Sequence, residues 1–147
     1  MTTESKNRNL VYQVLADLRL VISCQNKSFP TDAEWDSWLT AVANLEQKTK
    51  VFRLLVTTDG GHPTKAQLER LRARNRSNPP TSIVSSSLAF RFMASALTFI
   101  NPTIRAFSPS EFEKALDHIS VMHGDRERAK AVAENLHWQL AVPSSTN

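Results

Sequence analysis

Cysteine is nearly absent from this 147-residue chain: Cys24 stands alone. It has no partner for an internal disulfide and cannot by itself build a cysteine-based metal site. Its place in the apolar run Leu18–Cys24 reads as that of a buried structural thiol rather than a nucleophile. No histidine or acid lies at a sequence spacing that suggests activation. Long apolar runs are missing as well. A membrane helix needs roughly 18 to 20 apolar residues, and the richest run here, Leu88–Ile100, is shorter and broken by Arg91. The stretch Met1–Asn9 is polar and lacks the apolar core of a signal peptide, so a cytoplasmic protein without membrane insertion is expected. The catalytic signatures are missing too. There is no Gly-Lys-Ser/Thr phosphate loop, no Gly-x-Ser-x-Gly elbow and no His-x-x-x-His pair. The four histidines, His62, His118, His123 and His137, form no recognisable ligand set. Neither a metal, nor a cofactor, nor a catalytic residue is expected.

What is present suits one domain of ordinary size. Hydrophobic residues make up 41% of the chain and charged residues 22%, enough for a core and a solvated surface. The net charge of +4 is concentrated in one place. Between Lys65 and Arg76 lie Lys65, Arg70, Arg72, Arg74 and Arg76, with Glu69 the only acid, and that excess equals the whole net charge. A local basic patch is expected rather than a basic protein.

The periodicities alternate. Leu10–Leu15 and Leu18–Cys24 read as two strands of a hairpin turned at Ala16-Asp17. Thr31 with Glu34 three residues on is a capping box. Trp35, Trp38, Leu39, Val42 and Leu45 follow at helical spacing, which predicts a helix over Asp32–Lys48. Val51–Thr57 is a nearly continuous apolar strand. Asp59-Gly60-Gly61-His62-Pro63 breaks it, and Thr64 with Gln67 caps a second helix that ends before Asn78-Pro79-Pro80. Thr81–Ser85 is the next strand. Ser85-Ser86-Ser87 leads into Leu88–Ile100, a helix apolar over so much of its circumference that burial on more than one side is expected. Thr103–Phe107 is a short strand, and Ser108-Pro109-Ser110-Glu111 starts a helix whose buried face is Phe112, Ala115, Leu116 and Ile119. A last helix from Asp125 carries Ala129, Val132, Ala133, Leu136 and Leu140 on one side. Residues 1–8 and 143–147 read as flexible ends. This order predicts a single α/β domain: a mostly parallel four- to five-stranded sheet with helices on both faces, an N-terminal strand hairpin and an extra C-terminal helix over residues 125–141.

Four stretches carry a family likeness: Pro30–Trp35 opening the first helix, Val56–Pro63 after a strand, Arg91 with Ala96–Phe99, and Ile104–Ser108. Together with the element order they resemble STAS domains, the anti-sigma-factor-antagonist type, and especially the divergent STAS-like proteins of bacteria such as myxobacteria. The resemblance implies a non-enzymatic signalling adaptor that docks on a protein partner such as a kinase or regulatory protein. It also implies a serine or threonine in the loop before a helix whose phosphorylation breaks the complex. The matching loop is Thr57–Thr64. It offers Thr57, Thr58 and Thr64 but lacks the family's Asp-Ser pair before a glycine.

The residues themselves point to the same region. In an open parallel sheet, ligands gather at the carboxyl ends of the strands. The candidate contacts are therefore Thr58, Asp59, Gly60, Gly61, His62 and Thr64 in one loop, Ser86 and Ser87 in the next, and Arg70 and Arg72 on the basic helix. Each has a plainer reading: glycines for a tight turn, Thr64 and Ser87 as helix caps, and arginines as a solvated face. Nucleic acid is disfavoured, since no aromatic residues interleave the arginines. The alternative function is binding of an anionic small molecule or nucleotide, or a small enzyme, at Asp59–Thr64, with Asp59 and His62 as acid and base. Trp138, off the main apolar face of the last helix, is a candidate partner contact or homodimer seam.

Overall fold

The structure, a computed structural model, describes residues 8–74 and 77–141. Arg76 of the basic stretch lies outside the described residues, as do the flexible ends expected at 1–8 and 143–147 apart from residue 8. The elements run β1 (Leu10–Leu15), β2 (Leu20–Gln25), α1 (Asp32–Thr49), β3 (Arg53–Thr58), α2 (Lys65–Arg74), β4 (Thr81–Ser85), α3 (Leu88–Ala94), β5 (Arg105–Phe107), α4 (Phe112–His118) and α5 (Arg126–Ala141).

Five strands form one sheet in chain order, β1 to β5. β1 pairs antiparallel with β2, Leu15 opposite Leu20 and Leu10 opposite Gln25. The other three pairings are parallel. The hairpin turn is a 3-10 turn over Ala16–Leu18 closed by Arg19 in the left-handed region, φ 54°. It is longer than the expected Ala16-Asp17 turn, and β2 accordingly begins at Leu20.

Because β2 to β5 are parallel and laid down in order, each crossover steps the same way across the sheet. Crossovers of one hand then put their helices on one face. Leu10, Val21 and Leu54 meet Trp35, Trp38, Leu39 and Leu45 of α1, with Leu71 of α2 packed beside them. Ile83 meets Phe90 and Ala94 of α3 on the same side. The alternate residues of the same strands, among them Ile22, Cys24, Leu55 and Val84, face the opposite way. There they pack on Ala115, Leu116 and Ile119 of α4 and its C-terminal edge and on Ala129, Ala133 and Leu136 of α5. The two-residue period of the strands thus feeds two separate cores. Each fully buried Leu or Ile contributes about 1.5–3 kcal/mol to folding.

The capping boxes read from the sequence form as hydrogen-bonded pairs. Glu34 N donates to Thr31 Oγ1 at 3.1 Å and Thr31 N to Glu34 Oε1 at 2.9 Å. Gln67 N and Thr64 make the equivalent exchange at 3.1 and 2.9 Å. Leu88–Ile100 departs from expectation. The α-helix stops at Ala94 and continues as a 3-10 segment over Ser95–Phe99. Only Phe90 and Ala94 are buried, whereas Leu88 is 61%, Phe92 73% and Phe99 91% exposed. Its one layer of contact is the sheet, so the far side of an almost wholly apolar segment meets solvent. No helix among the described residues is long and apolar enough to cross a membrane.

Candidate binding cleft at the carboxyl ends of the strands

α4 and α5 set the geometry of the site. α5 runs along β2 in the same direction. Arg128 near its start pairs with Asp17, just before β2, at 2.6 Å. His137 near its end reaches Cys24, near the end of β2. α4 is only seven residues long and lies over β4 and β5. Arg126, at the start of α5, holds the two helices together through Glu113 at 3.1 Å and Asp117 at 2.6 Å. The end of β3 therefore lies between the start of α4 and the second half of α5. An open cleft of about 940 Å³ forms there. Its floor is Cys24, Thr57, Asp59, Val84 and Ser85. Ser86, Pro109 and Phe112 stand on one side, and Lys130, Glu134, His137 and Trp138 on the other.

Of the candidate contacts in the two loops, Thr58, Asp59 and Ser86 line this cleft, and so do Thr57 and Trp138. Thr58 and the remaining loop residues are occupied in holding the loops and helix starts together. The Thr58 hydroxyl is buried, donates to Gly61 O at 2.7 Å and accepts from Gly60 N at 3.0 Å. Gly60 has φ +130°, a conformation that L side chains rarely adopt. Gly61 is closed in by two carbonyl oxygens, since a Cβ there would sit 2.4 Å from both Asn26 O and Ser28 O. Ser87 caps α3, accepting from Phe90 N at 3.1 Å. Thr64 caps α2, and its partner Gln67, 1% exposed, donates from its amide to Pro30 O at 2.8 Å. His62 packs edge-on to Phe29, centroids 5.2 Å apart, and lies beside Phe90. Asp59 and His62 share no hydrogen bond. One lines the cleft, while the other packs against Phe29 and Phe90.

Arg70 and Arg72 belong to the other face of the sheet, on the helix that packs beside α1. Arg70 is spent on α1, pairing with Asp36 at 3.1 Å and Asp32 at 3.4 Å. That pairing and the Gln67 amide hold the Asp32 carboxyl below its usual range, Gln67 contributing most. Arg72 is exposed.

Sequence reasoning missed the α5 wall. Cys24 and His137 are 113 residues apart, yet Cys24 Sγ lies 4.0 Å from His137 Nδ1. Burial pushes the Cys24 thiol up, the Thr57 hydroxyl opposes this, and the Asp59 charge adds to the push. A thiol rather than a thiolate therefore faces His137 at neutral pH. No local pattern announces Lys130, Glu134 or His137. Trp138 alone gave a signal, by standing off the apolar stripe of its helix. It is 68% exposed, against 5% for Trp35 and for Trp38. Among the described residues, no group of three or more His, Cys, Asp and Glu side chains is placed to hold a metal.

Fold and cleft together define an α/β protein with a mostly parallel sheet and a solvent-open cleft at its strand ends. No protein-family model, curated protein or solved structure matches the chain.

Proposed function

We propose that the protein is a non-enzymatic, STAS-like signalling adaptor that binds a protein partner, a kinase or other regulatory protein, across the strand-end cleft. The observation that carries this reading is Trp138, a large exposed aromatic on the wall of an open cleft whose other rim is the exposed Ser86. Aromatic side chains with a polar end make strong interface anchors when a partner desolvates them. The element order, with an antiparallel first strand and three successive parallel crossovers, supports the STAS-like part of the reading. The separation of Asp59, which lines the cleft, from His62, which packs against Phe29 and Phe90, supports the non-enzymatic part. The contact surface comprises Asp59, Ser86 and α5, and the arginines of α2 stand outside it.

Co-purification with Ser86→Arg and Trp138→Ala tests this, with Arg72→Glu as a control on the other face. The expected result is a partner retained by wild type and Arg72→Glu and lost by both rim variants. Retention by both rim variants contradicts the reading.

A second reading, a small-molecule binding protein, is favoured by the cleft volume of about 940 Å³, which falls within the range of about 300–1,000 Å³ typical of ligand sites. A thermal-shift screen with nucleotides, phosphorylated metabolites and amines separates the two. Stabilisation by such a compound that Trp138→Ala abolishes, with no protein co-purifying, selects the second.

A further inference from the structure

The chain carries a net charge of +4, but the cleft does not share that sign. Its ionisable lining is Asp59 and Glu134 against Lys130, a net charge of −1 with histidine counted neutral as in the overall figure. Asp59 is the informative member. It is half-buried, and its backbone N–H is spent on Gln25 O at 2.9 Å. Its carboxylate has neither an ion pair nor a hydrogen bond among the described residues, yet its field reaches the Cys24 thiol in the cleft floor. An unpaired carboxylate lining the cleft is the natural counter-charge for a bound cation.

Two neighbours offer the same sign of interaction. The Thr57 hydroxyl donates its hydrogen to Ser23 O at 3.3 Å, so what it has left for a ligand is acceptor lone pairs. Trp138 exposes an indole ring on the cleft wall, and the face of an indole attracts cations more strongly than that of any other side chain. An anion entering the same space would meet two carboxylates and one ammonium.

We propose that the cleft is a binding site for an organic cation, an ammonium or guanidinium group on a short apolar body, held between the Asp59 carboxylate and the Trp138 ring. Resting on the reading of this cleft as the contact site, the proposal names what the site takes. The cation is either a free amine or the Lys or Arg side chain of a peptide segment in the partner.

The test is a titration of the full chain, followed by tryptophan fluorescence and amide NMR shifts, with three probes: benzylamine, the blocked tripeptide Gly-Arg-Gly, and phenylacetate. The expected result is saturable binding of at least one cation with shifts at Thr57, Asp59 and Trp138. Binding should weaken about tenfold or more in Asp59→Asn and in Trp138→Ala, with phenylacetate at least about tenfold weaker than the better cation. The tighter cation identifies the source, free amine or peptide side chain. Glu134→Gln, an exposed helix position, gives a second charge-removing variant should Asp59→Asn fail to fold, and it too should weaken the cation. Three results overturn the proposal: no saturation by either cation up to about 10 mM, phenylacetate binding as well as the cations, or the charge-removed and Trp138→Ala variants binding like wild type. If rim variants lose the protein partner while neither cation binds, this proposal falls and the contact reading stands. If a cation binds but the rim variants keep the partner, the contact reading falls and the cation site stands.

Discussion

At the scale of single residues, Gly61 and Cys24 show how little freedom the strand-end loop has. A methyl group on Gly61 meets two backbone carbonyls at 2.4 Å, and neither can swing away as a side chain would. Gly61→Ala is therefore expected to destabilise the fold by about 1–3 kcal/mol, the usual scale of overpacking. Gly124, whose added Cβ would touch nothing within 4 Å, should tolerate alanine within about 0.5 kcal/mol. Urea denaturation midpoints of the two variants check the contrast. Cys24 gives a pH signature. Its thiol is raised in the folded state above the ordinary value of 9.0, so the fold keeps a proton that the unfolded chain releases. Stability from this group is present below about pH 9 and is lost as the pH rises further. Denaturation of wild type and Cys24→Ala between pH 7 and 10.5 should show a steeper alkaline loss in wild type. Identical slopes would mean that the thiol titrates alike folded and unfolded.

Among the elements, α3 separates burial from mere apolarity. Phe90 sits 5% exposed against Ile83, while Phe92 and Phe99 are 73% and 91% exposed. Phe90→Ala should cost about 3–5 kcal/mol. Phe92→Ser and Phe99→Ser should stay within about 0.5 kcal/mol, a difference that thermal unfolding of the three variants resolves. This segment also marks where the sequence misleads. A run from Leu88 to Ile100 with one charge reads as buried all round, because periodicity reports which side chains are apolar and not how many layers cover them. Two of the strands fared better, while the other three begin two residues later than read, at Leu20, Arg53 and Arg105. Leu10–Leu15 and Thr81–Ser85 keep the bounds read from the sequence, since turn and proline signals fence them. The helix starts at Asp32 and Lys65 were legible for a similar reason, as each capping box is a local arrangement complete within four residues. The cleft was legible only on its loop side. Asp59 and Ser86 sit at strand ends that element order alone locates. Lys130, Glu134 and His137 reach the cleft through the packing of α5 on β1 and β2, a contact between distant parts of the chain that no local pattern encodes.

For the molecule as a whole, the last helix is part of the core rather than an appendage. Ala129, Ala133 and Leu136 cover Val11, Leu15, Ile22 and Cys24 on one face of the sheet. A chain ending at Val121 would keep α4 over β4 and β5 but leave β1 and β2 bare on that face, and it should lack a cooperative thermal transition and bind hydrophobic dyes. A sharp transition in that truncated chain would show that α5 is dispensable. With α5 in place, the same helix supplies one wall of the cleft, so folding and binding share an element. The central claim is that binding occurs on this face, at the strand ends, and not on the arginine-bearing face. Amide hydrogen exchange of the protein with and without its co-purified partner measures this most directly. Protection gained at 57–60, 85–87 and 130–138, with 65–74 unchanged, is the expected result. Protection confined to 65–74, or none along α5, would contradict it.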